Sequence, residues 1–375
     1  MRFSYVILII PLTLFLLSGC GGKKPGEVAW SYQLPVISAP AVDVNGDVIM
    51  TSLKGKVVRF SASGRVKWVY EPRNEEGKGQ AIVSSPSVDE RGNIYFTTND
   101  GFIYSLTKEG NLRWRKEVSG AVSSSPAIHP MGLVIFGAYD TAIYAFDLEG
   151  NLKWRVFTNG PIFATPSITR DGKVIIASND KAVYCLNEQG EIQWKFPTRG
   201  VVRTSAALDN EGNIYITGMD HYLYKISPEG KKVWEFKANY WIKTDPIIDA
   251  QGNIYFGTSI GDYYSVNRDG KLNWKYKIKF PIKSTGFIGD DGVVYVGTND
   301  ISIMGFSKDG KRVFRFEEPQ GNPVEAKLSL VPGKGYLLFG TTQFYAVKVT
   351  ANSLEKGAPW PKFMGNLRNW GRNAR

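Results

Sequence analysis

The sequence repeats itself with a period of 40 residues. An aromatic residue recurs at this spacing over most of the chain, and the series is Trp30, Trp68, Trp114, Trp154, Trp194, Trp234, Trp274 and Phe314. Two glycine series and a tyrosine series follow the same period, beginning at Gly92, Gly110 and Tyr104. A chain of 375 residues would otherwise suggest two or three domains. A period of 20–50 residues instead predicts an array of similar units.

Each unit contains four short apolar segments separated by turns. In residues 121–157 these segments are SSPAIH, LVIFGA, AIYAFD and LKWRVF, with Gly132 and Gly150 in turns. Short strands joined by glycine-containing turns predict an antiparallel meander. Four strands in a unit of about 40 residues are typical of one blade of a β-propeller. The expected fold is therefore all-β.

The units number eight, and the last of them is incomplete. We place the blades at residues 36–71, 81–117, 121–157, 161–197, 201–237, 241–277, 281–317 and 324–349. The eighth lacks its fourth strand, while the chain begins with an unassigned strand that carries Trp30. We predict an eight-bladed, single-domain propeller over residues 28–349, closed into a ring by the N-terminal strand, which removes exposed edges. The repeated Trp and Phe314 are expected to pack between neighbouring blades.

The N-terminus predicts export and a lipid anchor. Arg2 precedes an apolar run over residues 6–17, which is too short to cross a bilayer and suits a signal peptide. The run ends in Leu-Ser-Gly-Cys, which resembles the bacterial lipobox and implies that Cys20 is lipidated; a secretory signal with a chance cysteine is the alternative. We predict a signal peptide at 1–19, a lipidated tether at 20–27 and a C-terminal extension at 350–375. The resemblance to bacterial lipoproteins implies that Gly21, in place of an Asp after the cysteine, directs the protein to an outer membrane, where we expect it to face the periplasm.

The composition excludes several kinds of functional site. Two Cys and two His in the chain exclude a disulfide framework and a Cys/His zinc site. Only His129 and His221 remain for histidine catalysis, and Cys185 is expected to be a buried, inert thiol. The net charge of +11 favours acidic partners, but export disfavours nucleic acid. We predict a protein that is not an enzyme and has no cofactor and no metal.

One face of the propeller is predicted to carry a binding patch. Equivalent positions early in the innermost strands hold Arg203, Lys243 and Lys283 in blades five to seven. Uncharged residues hold these positions in blades two to four. The surrounding loops add Arg199, Tyr240, Trp241, Lys279 and Phe280. Because Trp, Tyr and Arg are typical interface anchors, we predict a binding surface here; a solvated basic rim is the alternative.

Two further features share this face. Acidic residues recur in the loops between second and third strands, at Asp100, Asp140, Asp180, Asp220 and Asp300. Such residues accept backbone hydrogen bonds in tight turns more often than they bind metal. The stretch PRNEEGKGQ around Glu75 accounts for the longer spacing between Trp68 and Trp114, and it is a second candidate contact surface.

The repeat resembles the PQQ-like β-propeller repeat, most fully in GNIYFTTNDG at residues 92–101 followed by Trp114. Within that superfamily the lipobox, the length and the eight units resemble the BamB-type lipoproteins, which implies a scaffold in outer-membrane β-barrel assembly. The ending APWPKFMGNLRNWGRN departs from that pattern and resembles a Trp-Pro segment of bacterial PQQ-like surface proteins.

Three hypotheses follow. The first is a non-catalytic envelope lipoprotein that binds protein partners, foremost the β-barrel assembly machinery. The second is a quinone-dependent or other small-molecule enzyme of the same superfamily. The third is a surface adhesin or glycan-binding propeller that uses the aromatic residues of the patch.

Overall fold

The computed structural model describes residues 24–73 and 79–372. These residues form eight four-stranded antiparallel sheets arranged as the blades of a propeller, so the predicted all-β, eight-bladed fold is confirmed. The described residues contain no helix long and apolar enough to cross a membrane. Cys20 and Glu75 lie outside the described residues.

The strands are numbered β1 to β32 in chain order, and the first four blades contain sixteen of them. Blades one and two consist of β2 (Ala41–Val42), β3 (Val48–Thr51), β4 (Val57–Phe60), β5 (Val66–Tyr70), β6 (Ser87–Val88), β7 (Ile94–Thr98), β8 (Phe102–Leu106) and β9 (Leu112–Glu117). Blades three and four consist of β10 (Ala127–Ile128), β11 (Leu133–Gly137), β12 (Ala142–Asp147), β13 (Leu152–Phe157), β14 (Ser167–Ile168), β15 (Val174–Ser178), β16 (Ala182–Leu186) and β17 (Ile192–Pro197).

The remaining blades complete the ring. Blades five and six consist of β18 (Ala207–Leu208), β19 (Ile214–Thr217), β20 (Tyr222–Ile226), β21 (Lys232–Lys237), β22 (Ile247–Ile248), β23 (Ile254–Gly257), β24 (Asp262–Val266) and β25 (Leu272–Lys277). Blades seven and eight consist of β26 (Phe287–Ile288), β27 (Val294–Gly297), β28 (Ser302–Phe306), β29 (Arg312–Glu317), β30 (Ser329–Val331), β31 (Tyr336–Gly340), β32 (Phe344–Lys348) and β1 (Val28–Tyr32).

The N-terminal strand supplies the outer edge of blade eight. Strand β1 pairs antiparallel with β32, and Trp30 lies opposite Ala346. The two ends of the ring are therefore joined within one sheet.

The innermost strands are shorter than predicted: they have two residues in blades one to seven instead of five or six. Proline directly precedes the innermost strand in five blades, at Pro40, Pro86, Pro126, Pro166 and Pro246. Proline has no N–H to give to a strand ladder. Side chains link the blades there instead; Ser125 Oγ accepts a hydrogen bond from Ser85 N at 2.8 Å, and Thr285 Oγ1 accepts one from Asp245 N at 3.0 Å.

The repeated tryptophans lie between adjacent blades. Trp114 Nε1 donates to Leu148 O of the next blade at 2.8 Å, and the indole lies against Gly150 in the same turn. A Cβ on Gly150 would approach Trp114 Cδ2 to 2.7 Å, so this glycine is required by the close approach as well as by its φ of +86°. The same arrangement recurs from Trp30 to Trp274.

Phe314 stands at the one junction where this contact has no counterpart. The accepting turn joins the third and fourth strands of the following blade, and in blade eight those strands are β32 and β1, from opposite ends of the chain. The turn is therefore missing, and no carbonyl of such a turn is available to an indole N–H. A phenylalanine, which has no donor, fills the position and packs on Tyr295 at 5.6 Å between ring centroids.

The C-terminal segment crosses one end of the channel. Backbone amides of six innermost strands donate to its carbonyls, in the pairs Val42–Leu367, Val88–Arg368, Ile128–Trp370, Ile168–Gly371, Ile248–Trp360 and Ile288–Pro361. Trp360, Phe363, Met364 and Trp370 are buried. Because these amides lie at the carboxyl ends of the innermost strands, the segment covers the face opposite the predicted binding patch.

Candidate functional site

The mouth of the channel is lined by one residue from each blade. In blade order the positions hold Ile37, Val83, Ser123, Phe163, Arg203, Lys243, Lys283 and Glu325. Blades one to four thus present an uncharged half of the rim, and blades five to eight present a charged half. The mouth is therefore amphipathic.

Arg203 is held at the boundary between the two halves. Its guanidinium carbon lies 4.5 Å from the ring centroid of Phe163, and its Nε approaches Asn179 Oδ1 at 3.4 Å. Phe163 packs on Tyr139, whose hydroxyl receives a hydrogen bond from Ser123 Oγ at 2.8 Å. This chain of contacts orients the arginine along the rim and leaves it exposed.

Lys283 is paired with an acid that sequence reasoning missed. Its Nζ lies 2.6 Å from Glu325 Oε1, which also accepts a hydrogen bond from Asn299 Nδ2 at 2.8 Å. Burial alone would raise the pKa of Glu325, but the hydrogen bonds from Lys283 and Asn299 and the positive charges of Lys283 and Lys243 lower it. The positive field expected from three cations is therefore reduced to the equivalent of two. Extending the repeat register by one blade would have found this glutamate.

The aromatic residues form an exposed group in the loops over blades five to seven. Tyr240, Trp241 and Phe280 are 38%, 39% and 43% exposed. Tyr240 lies between His221 and Trp241, with ring centroids 5.5 and 5.3 Å away. The backbone of Trp241 accepts a hydrogen bond from Ser259 N at 2.9 Å, which fixes it to the neighbouring loop of blade six.

The two outer cations of the predicted patch differ in their surroundings. Arg199 is paired with Glu235 at 2.5 Å and stacks on Tyr222, with 4.1 Å to the ring centroid. Lys279 lies 5.8 Å from the ring centroid of Phe280. The structure thus brings the eight predicted residues to one face, three at the channel rim and five in the surrounding loops.

A polar cluster lies deeper in the channel. Asp245 of blade six accepts hydrogen bonds from Ser205 N at 2.6 Å and Thr285 Oγ1 at 2.8 Å. Lys327 of blade eight lies 2.7 Å from Asp245 Oδ2 and 3.3 Å from the ring centroid of Phe363 in the C-terminal segment. Sequence reasoning did not single out these residues, although Asp245 and Lys327 share a repeat register with Ser205 and Thr285.

Lys362 lies beneath this cluster and is fully buried. Its Nζ donates to Phe363 O at 2.9 Å, Asn366 O at 3.1 Å and Asn369 Oδ1 at 2.6 Å. Burial lowers the pKa of Lys362 to about 7, and the charge of Lys327 acts in the same direction. The floor of the channel is thus a lysine anchored within the C-terminal segment.

Two other residues considered from the sequence, Asp220 and His129, have local bonding partners. Asp220 Oδ2 accepts hydrogen bonds from Arg199 N at 3.1 Å and Tyr224 Oη at 2.8 Å. His129 receives a hydrogen bond from Met131 N on Nδ1, so Nε2 carries the proton that it shares with Gly172 O at 2.7 Å. Burial lowers the pKa of His129.

Cys185 is fully buried, and burial raises the pKa of its thiol to about 12. Among the residues at 24–73 and 79–372, no group of three or more His, Cys, Asp or Glu side chains is arranged to hold a metal ion.

Two protein-family sequence profiles match the chain. The family described as outer membrane protein assembly factor BamB matches residues 20–121, 76–183 and 219–361. The family described as the lambda-carrageenase beta-propeller domain matches residues 133–254. None of the curated proteins that were compared matches the chain in sequence.

Solved structures share the fold at low sequence identity. BamB from Moraxella catarrhalis superposes with a TM-score of 0.72 and 16% identity, covering 86% of this chain and 99% of that one. The computationally designed Ika8 protein superposes with a TM-score of 0.71 and 13% identity, covering 87% of this chain and 100% of that one. The C-terminal WD40 domain of Sif2 superposes with a TM-score of 0.76 and 11% identity, covering 88% of this chain and 100% of that one. At these identities the likeness concerns the fold alone.

Proposed function

This chain belongs to the family described as outer membrane protein assembly factor BamB, and from that premise we propose that it is a non-catalytic scaffold of the cell envelope that binds protein partners during outer-membrane β-barrel assembly. The observation that carries the proposal is the match of the family profile to more than half of the chain.

The mouth of the channel is the proposed contact surface. Its charged half offers Arg203 and Lys243 as exposed cations, and the nearby loops offer Tyr240 and Trp241 as exposed aromatic side chains. Aromatic and arginine side chains supply much of the binding energy at protein interfaces, while surrounding charges set association rate and partner choice. This combination suits a partner surface that presents acidic and apolar side chains.

The proposed location depends on residues outside the described part of the chain. Residues 1–19 are proposed as a signal peptide and Cys20 as the lipidated residue, with the propeller held at the outer membrane on its periplasmic side. One acyl chain gives only reversible membrane binding, so stable anchoring requires more than one.

The test is affinity capture from detergent-solubilised membranes with the full-length tagged protein. We expect components of the β-barrel assembly machinery to co-purify. The double variant Arg203→Glu/Lys243→Glu should reduce their recovery at least about fivefold, because reversal of two rim charges opposes an acidic partner surface. Lys283 is left unchanged, since its substitution would also free Glu325.

The matched control is Lys116→Glu/Lys153→Glu, which makes the same change in net charge at exposed positions on the outer strands. We expect this control to recover partners as the unmodified protein does. Capture that fails with the unmodified protein, or that survives the rim variant undiminished, would contradict the proposal.

A glycan-binding function is the second candidate. It is favoured by the match to the lambda-carrageenase beta-propeller family over residues 133–254, which include Arg199, Arg203, Tyr240, Trp241 and Lys243. Aromatic faces beside cations are suited to sugar rings that carry anionic groups. Retention of the protein on immobilised sulfated galactan would support this candidate if the variant Trp241→Ala is no longer retained. The absorption spectrum of a bound cofactor in the purified protein would instead support the enzyme hypothesis.

A further inference from the structure

The chain enters the ring at the covered face, which is the face crossed by residues 354–372. Strand β1 begins at this end of blade eight and runs toward the mouth. Before β1 the backbone is fixed to the blade, since Gly26 N donates to Lys348 O at 2.8 Å and Glu27 N donates to Lys24 O at 3.0 Å. Lys24 is therefore held at the outer edge of the covered face.

Only a short link separates this edge from the proposed lipid anchor. Four residues lead from Lys24 back to Cys20, and four residues span at most about 14 Å when fully extended. Because acyl chains on Cys20 would lie in the bilayer, the edge of the covered face must lie close to the lipid headgroups. The mouth lies at the other end of the strands, about 17 Å away along an outer strand such as Leu152–Phe157.

The covered face also carries the two most exposed large apolar side chains of residues 24–73 and 79–372. Val44 is 73% exposed and Met131 is 69% exposed. Both lie at the tips of turns, Val44 between β2 and β3 and Met131 between β10 and β11. Glu90 and Asn210 hold the position of Val44 in blades two and five, so the turn itself does not require an apolar residue.

The outer strands are apolar at the same end. Their first residue is aliphatic and about half-exposed in four blades, at Leu112, Leu152, Ile192 and Leu272. Further toward the mouth the same strands carry exposed cations such as Arg115 and Lys195. A surface in contact with the covered face would therefore meet aliphatic side chains at the rim of the ring as well as at the turn tips.

Charges of both signs are mixed on the covered face. Its turns include Glu90, Arg170, Asp290 and Lys334. Such a mixture gives neither strong attraction to anionic lipids nor strong repulsion from them. Contact with a bilayer would thus depend on the anchor and on the apolar side chains, and a neutral phospholipid surface would suffice.

We propose that the covered face lies against the phospholipid surface, with Val44 and Met131 in the headgroup region, and that the mouth is directed away from the membrane. The inference rests on the lipid anchor of the proposed function but not on its protein partners. Apolar side chains buried at the boundary between headgroups and acyl chains strengthen membrane binding beyond what acylation supplies. In this orientation the basic and aromatic residues of the mouth stay open to partners in the periplasm.

The test uses the full-length protein, purified with its anchor and reconstituted in vesicles of phosphatidylethanolamine and phosphatidylcholine. Met131→Cys in a Cys185→Ala background carries an environment-sensitive fluorophore. Phe157→Cys is the matched control, because Phe157 is 56% exposed and lies on the same blade at the mouth side. Lipids spin-labelled near the headgroup should quench the fluorophore at residue 131 at least about threefold more than at residue 157.

A second pair of variants tests the apolar contact. Val44→Asp, combined with the label at residue 131, should reduce the quenching at least about twofold, because a carboxylate opposes entry into the headgroup boundary. Val69→Asp places the same charge at an exposed position near the mouth side of blade one and should leave the quenching unchanged. Melting curves of all variants identify any that fail to fold.

Equal quenching at residues 131 and 157, or stronger quenching at residue 157, would overturn the proposal. So would unchanged quenching in Val44→Asp, or protein that does not float with the vesicles on a density gradient. Failure of the proposed partner binding is distinguishable, because the vesicles contain no partner protein. Protein that floats and is quenched at residue 131, but captures no assembly component, would contradict only the partner role.

Discussion

Lys327 Nζ in blade eight lies 2.7 Å from Asp245 Oδ2 in blade six, so an ion pair spans the channel past blade seven. The same ammonium group lies 3.3 Å from the centroid of Phe363 in the C-terminal segment. The pair therefore connects the blade that closes the ring with the segment that covers its opposite end. Because Asp245 is 6% exposed, removal of its partner leaves a charge that water reaches poorly.

Lys327→Met should lower the free energy of unfolding by about 2–4 kcal/mol, less than for a fully buried pair since the lysine side chain is 27% exposed. Lys311→Met is the control, because its pair with Asp309 is exposed on both sides and should change stability by under about 1 kcal/mol. Denaturant titration measures both. Equal effects in the two variants would mean that the channel pair contributes no more than a surface pair.

Gly64, in the turn between β4 and β5 of blade one, tests the packing of Trp30 from blade eight against its neighbouring blade. A Cβ there would lie 2.5 Å from Trp30 Cγ, while Gly292 has a similar φ, +74° against +85°, and no atom within 4 Å. Gly292→Ala should therefore cost about 1 kcal/mol for its backbone alone. Gly64→Ala should cost about 1–3 kcal/mol more, because the indole must move. Thermal melting compares the two variants. Equal losses of stability would indicate that the indole of Trp30 moves aside at no cost.

The periodic part of the fold could be predicted because each blade repeats the same contacts. Spacing alone located the blades and the closing strand, and it also placed Arg203, Lys243 and Lys283 on one rim. Glu325 was missed because the register was not followed into blade eight, where the spacing from Lys283 is 42 residues.

The C-terminal segment could not be predicted in this way. It carries no repeat, and its contacts join positions far apart in the chain, such as Asn369 Nδ2 with Ala39 O at 3.3 Å. The short innermost strands have a similar cause, since prolines such as Pro126 replace ladder bonds by side-chain bonds between blades.

The predicted anchor is tested by Cys20→Ala. The propeller should fold normally, because the described strands begin at Val28. The protein should leave the detergent phase on phase separation, or accumulate unprocessed, since a thiol is required for lipidation. Cys185→Ala is the matched control and should partition as the unmodified protein does, because this cysteine is buried within blade four. Unchanged partitioning of Cys20→Ala would contradict the lipoprotein interpretation.

Because Lys362 is buried, we expect the free energy of unfolding to rise with pH above neutrality. Burial lowers its pKa in the folded protein to about 7, whereas the unfolded chain retains the ordinary lysine pKa of 10.5. Below pH 7 both states are protonated, so this group adds no pH dependence there. Between about pH 7 and 10.5 only the unfolded state holds the proton, so unfolding takes up a proton and the free energy of unfolding increases by up to about 1.4 kcal/mol per pH unit.

Lys362→Met should remove this contribution. We expect the unmodified protein to gain stability relative to the variant from pH 7 to 9, measured by denaturant unfolding at each pH. Lys356→Met, at an exposed position of the same segment, should run parallel to the unmodified protein across that range. If the curve of Lys362→Met also runs parallel, the lysine stays charged in the folded state, held by its three acceptors Phe363 O, Asn366 O and Asn369 Oδ1.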